Sequence, residues 1–115
     1  MKKTALFVFN GDPMCFIHVL LNALDMKAKA YDVRVVIEGA AVQLVPELEK
    51  AEHPLHVLWG KVKDAGLVDG VCRACSNKLG VLEAAQAQGL TLLDDMSGHP
   101  SMAGYRDRGY EMITF

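Results

Sequence analysis

The chain has no apolar stretch long enough to cross a bilayer. Its longest run free of charged residues, Pro13 to Leu24, is short and contains His18 and Asn22, whereas a spanning helix needs about 20 apolar residues. It has no excess of basic charge: the formal net charge is −2, which removes the electrostatic case for a nucleic-acid partner. Neither GxGxxG nor GxxxxGK[ST] occurs, so no motif supports nucleotide binding. Gly11-Asp12-Pro13 is too short and too acidic for a phosphate loop. There are three cysteines, an odd number that builds no disulfide framework. The second CxxC of a zinc ribbon is missing as well. Linkers, repeats and low-complexity segments are absent. These absences leave a single domain over residues 1–115, of ordinary globular balance with 51% hydrophobic residues, and large enough to hold its core without disulfides. The cysteine usage fits a reducing, cytoplasmic setting, where CxxC is more often redox-active, catalytic or metal-binding than structural. Met1-Lys-Lys-Thr-Ala-Leu-Phe resembles a leader only in its first residues, because Asn10-Gly-Asp-Pro13 interrupts the apolar run; the segment reads as a first strand.

What the chain does contain alternates in period. Thr4–Phe9 is a continuous apolar run of the kind found in strands buried on both faces. Asn10–Pro13 is turn chemistry, and from Met14 to Ala30 apolar residues recur at helical spacing. Asp32–Glu38 reads as a second strand closed by Gly39. Ala40–Lys50 reads as a helix that Pro46 restarts or kinks, and Pro54–Ala65 as another stopped by Gly66. Val68–Ala74 is a third strand, Asn77–Gln88 a helix ending at Gly89, Leu90–Leu93 a short fourth strand, Ser101–Arg108 a short helix and Tyr110–Phe115 a last strand. This β-α-β-α-α-β-α-β-α-β order predicts a parallel sheet with helices on both faces. Functional groups of such sheets collect at the carboxyl ends of the strands. That places Cys15, His18, Cys72, Cys75 and His99 on or near one edge.

Cys72-Arg-Ala-Cys75 is the strongest of these signals. A thiol at a helix start meets partial positive charge and unpaired N–H groups, which favour the reactive thiolate. With Ser76 or Asn77 as a candidate N-cap, Cys75 reads as a reactive thiol at the helix start, and Cys72, inside the strand, as a resolving thiol or ligand. The plain alternative for both is a small buried hydrophobe. Cys15 and His18 stand one helical turn apart and share a face, as a thiol–imidazole pair, as metal ligands, or as ordinary core residues. In Ser97-Gly-His-Pro100 the histidine is either placed for a purpose or part of a capped turn before Pro100. His53 and His56 read as structural or surface residues, and Arg106, Asp107 and Arg108 as a solvated helix face.

The order and spacing of Ala5-Leu-Phe-Val-Phe9, Asp32-Val-Arg-Val-Val-Ile-Glu-Gly39-Ala-Ala-Val42, Gly70-Val-Cys-Arg-Ala-Cys75 and Gly109-Tyr-Glu-Met-Ile-Thr-Phe115 resemble those of the DsrE/DsrF-like family (YchN-like fold) of small sulfur-relay proteins. The resemblance covers most of the chain. It implies a three-layer α/β/α sandwich with a five-stranded parallel sheet in the order 4-3-2-1-5, and homo-oligomers, often trimers or hexamers. It also implies a cysteine after the third strand that accepts sulfur as a persulfide and passes it on, a role that maps onto Cys75. The extra thiols at Cys72 and Cys15 and the His99 loop depart from a single-cysteine carrier.

Three functions follow. The first is a sulfur carrier or sulfurtransferase-like protein at Cys75, supported by Cys72, Cys15, His18 or His99, working with sulfur donor and acceptor proteins or small persulfides. The second is a zinc-type metal module using Cys15, Cys72 and Cys75 with His18 or His99. The third is a non-catalytic oligomeric partner-binding protein. A thioredoxin-like oxidoreductase fits less well, since Arg73-Ala74 lacks the aromatic and proline partners of that motif.

Overall fold

A computed structural model describes residues 1–115. The elements in chain order are β1 (Lys3–Val8), α1 (Pro13–Ala28), β2 (Asp32–Ile37), a 3-10 segment (Gly39–Gln43) running into α2 (Leu44–Leu48), α3 (His56–Asp64), β3 (Val68–Cys72), α4 (Arg73–Lys78), α5 (Leu82–Ala87), β4 (Leu92–Leu93), α6 (Met102–Asp107) and β5 (Glu111–Thr114). All strand pairs are parallel, in the order β4-β3-β2-β1-β5. The parallel sheet is the one expected from the alternating pattern, and its strand order is the one the family resemblance implies. The short β5 returns to pair with the first strand, Thr4 opposite Glu111 and Phe7 opposite Thr114.

The two faces of the sheet are covered unequally. Leu6, Val8, Val33, Val35, Ile37 and Val71 meet Phe16, Val19 and Leu20 of α1, Leu48 of α2 and Trp59 and Val62 of α3 in one large core. On the other face Ala5, Phe7 and Val36 meet Tyr105 and Tyr110 in a much smaller cluster, flanked by the partly buried Leu93, Met102 and Met112. The near-continuous apolar runs of β1 and β2 follow from this double burial. No helix is long and apolar enough to cross a membrane.

Several boundaries differ from those expected, each for a local reason. Asp12 caps α1, its carboxylate accepting from the Met14 N–H at 2.8 Å, and Pro13 occupies the first helical position, where its missing N–H costs nothing. Pro46 likewise falls in the first turn of α2, so the Ala40–Lys50 segment divides into a 3-10 piece and a short α-helix. The helix expected over Pro54–Ala65 begins at His56, because His53 Nδ1 accepts from the Leu55 N–H at 3.0 Å and holds Pro54 in a turn. The helix expected over Asn77–Gln88 is two helices, α4 and α5, separated at Gly80, whose φ of +75° stops the first. The third strand ends at Cys72 rather than Ala74. The helix after it starts at Arg73, four residues before Asn77.

Candidate functional site

The earlier start of α4 redistributes the roles of the two thiols. Cys72 is both the last residue of β3 and the N-cap of α4, and its Sγ accepts from the Cys75 N–H at 3.3 Å. Neither Ser76 nor Asn77 caps the helix. Cys75 therefore lies within the first turn, and its amide serves the sulfur of Cys72. The next free donor, the Ala74 N–H, is taken by the Gly98 carbonyl at 2.9 Å. Cys72 is fully buried while Cys75 is partly exposed.

The Gly98 contact ties α4 to the loop after β4. Met96 and His99 exchange two backbone hydrogen bonds, 2.7 and 2.8 Å, across Ser97 and Gly98. Both central residues have positive φ, +49° and +87°, the requirement of a two-residue type I′ turn. This tight reversal presents His99 to the thiols: its Nδ1 stands 3.1 Å from Cys72 Sγ and 3.8 Å from Cys75 Sγ. The ligand atoms of Cys72, Cys75 and His99 all lie within 4.8 Å of one another. Cys15 and His18 join no such cluster; Cys15 is half-buried in the first turn of α1 and His18 is exposed on the same helix. Of the five residues that topology gathers at the carboxyl edge, the structure brings three together.

A fourth group belongs to the site and was not singled out from the sequence. Glu38, directly after β2, has a side chain only 9% exposed, and its Oε1 lies 3.9 Å from the same His99 Nδ1. Burial pushes its carboxyl above the usual carboxylate range, and the His99 ring opposes the shift. The legible signal was an ionisable residue closing an apolar strand at the functional edge, followed by Gly39. Burial also pushes the Cys72 thiol up to about 12; the Cys75 amide opposes this, while Cys75 and Glu38 add to it. Beside the cluster a groove of about 470 Å³ opens, walled by Phe9, Met96, Pro100 and Met102 with Glu38 and His99 at its polar end. The arrangement offers one buried thiol, one accessible thiol, an imidazole shared between them and a carboxyl group behind it. It can move a proton between sulfur and nitrogen, form a new bond at Cys75, or ligate a cation.

A small parallel α/β protein with a thiol–imidazole centre at the carboxyl edge of its sheet is thus defined. The DsrE/DsrF-like family model matches residues 3–115, and the chain belongs to that family. An uncharacterized protein of Methanocaldococcus jannaschii, MJ0733, is 38% identical over 96 residues, covering 84% of this chain and 76% of that protein. An uncharacterized protein of Archaeoglobus fulgidus is 40% identical over 40 residues, 35% of this chain and 66% of that one. Among solved structures, the conserved protein of unknown function BT1422 from Bacteroides thetaiotaomicron superimposes with a TM-score of 0.71 at 16% identity, over 99% of this chain and 95% of its own. That likeness is one of fold.

Proposed function

We propose that this protein accepts sulfur as a persulfide on Cys75 and passes it on. The observation that carries the reading is the asymmetry of the thiol pair: Cys75 is the partly exposed sulfur, Cys72 the buried one, and both face one imidazole nitrogen. Membership of a family associated with sulfur relay supports it. The Cys75 thiolate attacks the outer sulfur of a donor persulfide, forming a new S–S bond. The donor S–S bond breaks, and the donor leaves as a thiolate. An acceptor thiolate then attacks the outer sulfur of the Cys75 persulfide, regenerating Cys75. His99 takes and returns the thiol proton, and burial keeps Cys72 protonated and out of competition. Donor and acceptor are proteins or small persulfides of a cytoplasmic compartment, met by a homo-oligomer, a trimer or hexamer, of this chain.

Incubating the reduced, metal-free protein with a small-molecule persulfide and weighing it intact tests the reading. The expected result is a gain of one sulfur atom, mapped to Cys75 and lost in Cys75→Ser. No adduct on wild type, or an unchanged adduct in Cys75→Ser, rejects it. Light scattering on a sizing column reads the oligomer, and a monomer rejects that part.

A further inference from the structure

A persulfide carrier needs one accessible sulfur. Here three soft donors converge, and both sulfurs address the same ring nitrogen. We propose that Cys72, Cys75 and His99 form a three-ligand site for a borderline-soft divalent cation of the zinc type, with solvent in the fourth tetrahedral position and the Glu38 carboxyl behind the His99 ring.

Geometry carries this. At zinc bond lengths of about 2.3 Å to sulfur and 2.0–2.1 Å to nitrogen, sulfur and nitrogen ligands of a tetrahedron stand about 3.5 Å apart. The two observed separations from His99 Nδ1, 3.1 and 3.8 Å, bracket that edge. The ligands come from rigid places: the end of β3, the first turn of α4 and a two-residue turn stapled to α4 through the Gly98 carbonyl. The Cys75 N–H on Cys72 Sγ is a donor that stabilises a thiolate ligand. The Glu38 carboxyl stands outside this cluster, 3.9 Å from Nδ1, in a nearly buried position where an ionised carboxylate needs a positive partner such as the cation. Two sulfurs and an imidazole select zinc over magnesium or calcium, which take oxygen shells. Cys15 and His18, the other ligands the sequence offered, play no part. Binding exchanges the two thiol protons for the cation, so it releases protons to solvent.

Titration of the reduced, chelator-treated full chain with Co²⁺ and then Zn²⁺ tests the site. Co²⁺ is expected to give a thiolate-to-cobalt charge-transfer band and the intense visible bands of a tetrahedral ion. These should saturate at one ion per chain and be abolished by Zn²⁺. Cys75→Ser and His99→Ala should each weaken Zn²⁺ binding by at least about 100-fold and Glu38→Gln by about 10-fold, with Cys15→Ser unchanged. Cys72→Ser keeps a side-chain acceptor for the α4 cap, and matching far-ultraviolet circular dichroism verifies that each variant folds. Weak octahedral bands without charge transfer, saturation at one ion per two chains, or equal weakening by Cys15→Ser would overturn the proposal. The spectrum of the unmutated protein suffices for the first two. The persulfide assay uses metal-free protein, so either reading can fail without the other.

Discussion

Ser76 is fully buried on α4, and its hydroxyl has no hydrogen-bond partner. A buried hydroxyl stripped of water costs about 1–3 kcal/mol when nothing replaces the lost bond. Alanine removes the polar atom, leaves a void of one oxygen and suits a helix better. Ser76→Ala should therefore raise unfolding free energy by about 1 kcal/mol, read as a higher urea midpoint at unchanged slope. A lower midpoint would mean that the hydroxyl is engaged. The same scale explains what the sequence hid at the site. That Cys75 and His99 belong together was visible only as membership of one sheet edge, because the two lie far apart in the chain and meet through a turn whose geometry depends on Ser97 adopting positive φ. Glu38 left only a weak signal, for a different reason. A glutamate after a strand is ordinarily solvated, whereas Glu38 is buried and lines the groove together with Phe9 and His99.

Two glycines decide whether the elements around the site assemble. At Gly98, φ is +87°, and a Cβ would also come within 3.3 Å of the Ala74 side chain, tight against α4. Gly98→Ala should cost about 1–3 kcal/mol through strain and swing His99 away from the sulfurs. Nuclear magnetic resonance of the His99 ring checks the second effect: its response to a Cys72→Ser substitution, present in the wild-type background, should vanish in the Gly98→Ala background. At Gly70 the constraint is space. A Cβ there would stand 2.5 Å from the Thr91 carbonyl oxygen and 2.7 Å from Leu93. No side chain fits between β3 and β4, so Gly70→Ala should release β4 and expose the amides that pair with it. Faster hydrogen exchange at Val71, whose N–H bonds to the Thr91 carbonyl, would show this, and unchanged exchange would refute it. The strands and their parallel arrangement were legible because apolar runs, turn residues and strict alternation all point to one class of fold, whereas the strand order was implied only by the family resemblance. Helix starts were less legible. A sulfur as N-cap at Cys72 is a rare solution that capping preferences for Ser, Thr, Asp and Asn do not suggest.

On the scale of the whole molecule, the thinly covered face of the sheet is held by charge and aromatic groups rather than by a second large core. Arg34 lies across it, 3.0 Å from Asp32 and 2.9 Å from Asp69. The Tyr110 hydroxyl donates to Asp32 at 2.7 Å and the Tyr105 hydroxyl to Asp69. Lys3 and Arg108 sit over the rings of Tyr110 and Tyr105, 4.5 Å from each centroid. The network fastens α6 and β5, the last elements of the chain, to the centre of the sheet. Burial opposes ionisation of Asp32, but hydrogen bonds from Tyr110 and Arg34, with the charges of Arg34 and Lys3, outweigh it and hold the carboxyl below its ordinary value. A carboxyl whose folded value is depressed binds fewer protons folded than unfolded. Its contribution is complete above the ordinary carboxylate range and is lost as pH falls through the folded value. The protein should therefore lose stability on the acid side, below about pH 4. Asp32→Asn should be less stable at neutral pH and show a shallower acid loss, because the asparagine has no proton to take up. Thermal unfolding followed across that range in both proteins measures the difference. Parallel acid slopes for wild type and Asp32→Asn would show that other carboxyl groups carry the acid sensitivity and that the Asp32 contacts close this face without stabilising it.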